Sequence, residues 1–75
     1  MTAAFSEKLN FVKLQLATLE QELTAAMNKE YDACFDDSGM PIDSEEGDRK
    51  RRNVSALEDM MLAVRDAHSI LTENV

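Results

Sequence analysis

Residues 36–44 read Asp-Asp-Ser-Gly-Met-Pro-Ile-Asp-Ser, and this short stretch decides the fold. It contains the only proline, Pro41, and one of the two glycines, Gly39; the other, Gly47, follows three residues later. Asp-Ser-Gly is turn chemistry, because Asp bonds its own backbone and Gly39 can take the left-handed conformation that ends a helix. The flanking stretches contain neither Pro nor Gly up to Gly39 on one side and beyond Gly47 on the other. The chain therefore reads as helix one over about residues 4–35, an acidic turn over about 36–44, and helix two over about 45–74. Ser44 is a good N-cap, and the acids after it suit the positive end of a helix dipole.

Apolar periodicity gives the same answer. Phe5, Leu9, Val12, Leu16, Leu19, Leu23 and Ala26 recur at alternating intervals of four and three, as do Val54, Leu57, Met61, Val64, His68, Leu71 and Val75. This is heptad spacing, and neither stretch has the strict alternation of a strand. Folding the chain back near residue 40 pairs positions whose numbers sum to about 80. Leu9 then meets Leu71, Val12 meets His68, Leu16 meets Val64, Leu19 meets Met61, Leu23 meets Leu57, and Glu30 pairs with Lys50. The expected fold is all-α: an antiparallel, coiled-coil-like two-helix hairpin with arms about 45 Å long. Met27, Tyr31, Cys34 and Phe35 form a shifted stripe, expected as a local stutter covered by Met40 and Ile42. Beside the seam, the same register sets Lys13 near Arg65 and Glu20 near Glu58, two unfavourable like-charge neighbours.

A hairpin buries one side of each helix, too little to offset the ordering of 75 residues. Outside the ladders, Phe11, Thr18, Ala25, Ala56, Met60, Ala63, Ala67 and Ile70 project to one side, whereas Asn10, Lys13, Glu20, Glu58, Arg65, Ser69 and Thr72 occupy the other. Alanine is also simply the best helix former. The undersized core favours reading the small-residue side as an interface, with a homodimer in a four-helix bundle as its first form and a heterologous protein as the other occupant.

Composition excludes several classes. Fifteen acids against eight bases give a net charge of −7, which disfavours nucleic acid as a partner. One cysteine excludes an internal disulfide framework, and no segment is suited to spanning a membrane, so a cytoplasmic protein is expected. Arg49–Arg52 is a basic run in which Glu45–Arg49, Glu46–Lys50 and Asp48–Arg52 have ion-pair spacing, so a charge-paired helix turn is expected rather than a nucleic-acid patch. His68 falls on the core ladder, and Cys34 lies among acids that disfavour a thiolate. Asp36, Asp37, Asp43, Glu45, Glu46 and Asp48 make the turn acidic, but Gly39 is misplaced for a helix–loop–helix calcium site. No cofactor, metal or catalytic residue is expected.

The acidic hairpin tip is similar in shape and charge to those of transcription factors that enter the secondary channel of bacterial RNA polymerase. Such a resemblance implies a modulator that reaches into a basic channel or mimics phosphate. Ser55 and Asp59 have the S-x-x-x-D spacing of small helical-hairpin phosphatases of sporulation control, which would make Asp59 the catalytic group. The leading expectation is a non-enzymatic regulator, adaptor or inhibitor of bacterial or phage type, acting by protein–protein contact through the small-residue face.

Overall fold

The computed structural model describes residues 1–75 as two antiparallel helices, α1 (Ala3–Asp32) and α2 (Glu45–Asn74), in a rod of 55 × 16 × 15 Å. Each helix begins at a hydroxyl cap: Thr2 Oγ1 accepts from the Phe5 N–H at 3.2 Å, and Ser44 Oγ accepts from the Gly47 N–H at 3.3 Å. These caps satisfy donors that the helices leave unpaired. Glu45, Glu46 and Asp48 stand in the first turn of α2, where the helix dipole favours negative charge. No helix is long and apolar enough to cross a membrane.

Helix α1 stops at Asp32, three residues before the expected Phe35, because the chain closes on itself there. The Ile42 N–H donates to the Cys34 carbonyl at 2.8 Å, and Phe35 and Pro41 form an antiparallel bridge. Gly47 is buried directly beneath Ile42; a Cβ at this position would overlap the Ile42 carbonyl oxygen. Gly47 is thus needed for close approach, whereas Gly39, with φ of +83°, is needed for its backbone conformation.

This closure sets the phase of both helices. Counting back from buried Cys34 by alternating fours and threes, the covered positions of α1 are Glu30, Met27, Leu23, Glu20, Leu16, Lys13, Leu9 and Ser6. Counting forward from Gly47, those of α2 are Lys50, Val54, Leu57, Met61, Val64, His68, Leu71 and Val75. Leu9, Leu16, Leu23, Leu57, Val64 and Leu71 are all half-buried, and the Glu20–Arg65 pair fits an antiparallel register of about 80 to within about one helical turn. The other α1 ladder differs from expectation. Phe5, Val12 and Leu19 are 51%, 41% and 41% exposed, while Ser6, Lys13, Glu20 and Met27, one position on, are half-buried. What reads in sequence as a local stutter at Met27 and Cys34 is the phase of the whole helix.

The rotation also corrects the flanking charges. Arg65 Nε donates to Glu20 Oε1 at 2.8 Å, so an opposite-charge pair stands where like charges were expected. Glu30 and Lys50 are both half-buried in one layer but form no ion pair, and Glu30 Oε2 is shielded without a hydrogen-bond partner. Only Cys34, Gly47 and Met61 are buried.

Gly47→Ala separates two effects of opposite sign. Helix propensity alone would raise stability by about 1 kcal/mol. Overlap with the Ile42 carbonyl instead lowers it by about 1–3 kcal/mol. Urea denaturation at fixed protein concentration is expected to show the loss.

Candidate functional site

Two surfaces stand apart from the seam. The first is the tip. Asp36 Oδ1 accepts three hydrogen bonds, from Ser38 Oγ at 2.6 Å, the Ser38 N–H at 2.9 Å and the Met40 N–H at 3.0 Å. The Asp36 N–H donates to the Met40 carbonyl at 2.8 Å, and the Gly39 N–H to the Asp36 carbonyl at 2.9 Å. A carboxylate that collects donors is favoured in its charged form, so the Ser38 hydroxyl first, then the Met40 and Ser38 amides, hold the Asp36 carboxyl below its ordinary pKa. The turn is therefore an internally bonded knob rather than a loop held only by solvent.

Asp36, Asp37, Asp43, Glu45, Glu46 and Asp48 are all exposed on or beside this knob. They do not converge: no three His, Cys, Asp or Glu side chains are grouped closely enough to hold a metal ion. The three ion pairs expected at i to i+4 spacing in α2 do not form. Arg51 instead pairs with Asp48 and donates from Nη1 to the Ile42 carbonyl at 3.0 Å. Arg51 faces back toward the turn, where a fixed carbonyl orients it, whereas fully exposed pairs gain little in water. Beside Arg51, the side chains of Tyr31, Cys34, Phe35, Pro41 and Val54 line an apolar cleft of about 250 Å³. The Tyr31 and Phe35 rings meet edge to face at 5.3 Å, and the Cys34 thiol is turned inward, donating to the Glu30 carbonyl at 3.3 Å.

The second surface is a long open side. Phe11, Met60 and Ile70 are 61%, 53% and 53% exposed; Thr18, Ala25, Ala56 and Ala63 are exposed and Ala67 half-buried. Rotation of α1 turns Phe11, Thr18 and Ala25, each midway between two seam residues four apart, to the back of α1 away from α2. It brings to the open side instead Phe5, Val12 and Leu19, with Val12 level with Ala67 and Leu19 level with Met60. Sequence reasoning assigned those three to the core. The available signal was Cys34 and Gly47 flanking the turn in matched phase. Ser55 and Asp59 are exposed on α2, and His68 is half-buried in the seam. No protein-family model, curated protein or solved structure matches the chain.

The Asp36 network predicts a pH response. Because the folded pKa is depressed, its contribution to the turn is present above the unfolded pKa and is lost as pH falls through the folded value. Carboxyl-detected NMR titration is expected to find Asp36 titrating below the ordinary aspartate range, with Ser38→Ala moving it back upward.

Proposed function

We propose that this chain is a non-enzymatic helical-hairpin interaction module whose working surface is the open side formed by Met60 and Ile70 of α2 with Phe5, Val12 and Leu19 of α1. A second copy of the chain is its first occupant, giving a four-helix bundle, and a regulatory partner protein engages the same side or the tip. One observation supports this reading above the others. Five large apolar side chains, Phe5, Val12, Leu19, Met60 and Ile70, are 41–53% exposed on the side set by the seam phase, while the fully buried apolar residues are only Cys34 and Met61. Single exposed apolar residues are ordinary; a continuous row beside an undersized core marks an interaction surface.

The ordered tip supports a second reading, in which an acidic knob enters a basic groove on a partner. Pre-organisation favours it, because binding would then not have to order the loop. Asp37, Asp43 and Glu46 are the groups to neutralise in testing it, since Asp36 holds the turn itself.

The leading reading predicts that the wild-type chain sediments at twice its 8.4 kDa. Met60→Asp and Ile70→Asp should each shift the dimer toward monomer by at least tenfold in dissociation constant, because each sets a charge into a desolvated contact. A wild-type mass of one chain at high micromolar concentration would remove the homodimer.

A further inference from the structure

Resting on the dimer reading above, we propose how the second copy docks: tip away from tip, with the twofold axis crossing the open side near Val12 and Ala67. The large anchors fix the centre. Phe5 lies nearest the termini, Ile70 and Val12 follow, and Leu19 and Met60 share one level, so the row is centred near residue 12 of α1 and fades toward the tip. Together these side chains expose roughly 400 Å². That is about half of the ~800 Å² each partner contributes to a standard interface, with Ala56, Ala63 and Ala67 supplying close-packed area beside them.

Charge fixes the direction. Residues 21–59, the half toward the tip, carry eleven acids against five bases, whereas the remaining residues carry four acids against three bases. A twofold axis along the rod would lay two strongly negative halves side by side. An axis across the rod at residue 12 overlaps only the nearly neutral halves, over about 24 residues or 36 Å, and leaves each tip overhanging at an opposite end. Like-charge repulsion therefore opposes the first arrangement and spares the second. The crosswise axis sets α1 against α1 and α2 against α2, both antiparallel; the lengthwise axis would set α1 against α2 of the other copy. The dimer then presents two acidic knobs about 70 Å apart, suited to bridging two basic sites.

Cysteine cross-linking distinguishes these arrangements in a Cys34→Ser background whose mass has first been checked. With the crosswise axis, Val12→Cys alone and Ala67→Cys alone each oxidise to a covalent dimer. With the lengthwise axis, only a mixture of Val12→Cys with Ala67→Cys does so, and that result would overturn the docking while leaving the dimer reading intact. A Ser38→Cys spin label gives an independent measure that does not disturb the interface. An inter-label distance near 70 Å is expected, and one of roughly 10–20 Å would overturn the proposal. If the labelled and unlabelled chains both sediment as monomers, the dimer reading itself fails.

Discussion

The closure at Ile42 governs the molecule. Its N–H is held by the Cys34 carbonyl, its own carbonyl receives Arg51, and the glycine backbone at Gly47 lies against it. With Cys34 and Gly47 both buried at this closure, helical geometry fixes every later layer, because a 3.6-residue turn returns the chain to the same side at alternating threes and fours. The seam is thus set from the turn outward. Its composition includes Lys13, Glu20 and Glu30 because those residues are in phase with the closure, not because they are apolar.

This phase has two consequences. Inside the hairpin, Glu20 comes to the seam's edge and meets Arg65, an exposed pair whose value is orientation more than energy. Outside it, Phe5, Val12 and Leu19 are displaced from the core and join Met60 and Ile70. The open apolar side and the polar seam have the same origin: rotation of one helix by one heptad position exchanges residues between them. A hairpin in this phase lacks the buried area of an independent domain, and a second layer of helices is the usual remedy.

The tip is built on a different principle. Its order comes from hydrogen bonds to one carboxylate, from the Phe35–Pro41 bridge and from Gly39, with the apolar cleft beside it. Local bonding of this kind needs no support from the open side. The knob can keep its shape whether or not the long side is covered, which makes the two surfaces separable by mutation.

Legible in the order of residues were the helix–turn–helix arrangement, the cap at Ser44 and an antiparallel register near 80. Each depends on short-range pattern: heptad spacing, turn residues, and a turn that leaves little freedom in how far the arms are offset. Only the tertiary structure decided the rotation of α1, and with it the places of Phe5, Val12, Leu19, Lys13 and Glu20. Two stripes of α1 share Leu9, Leu16 and Leu23 and differ by one position, so periodicity favours the more apolar of them. The choice fell to one close contact, Ile42 over Gly47, between residues whose approach no periodicity encodes.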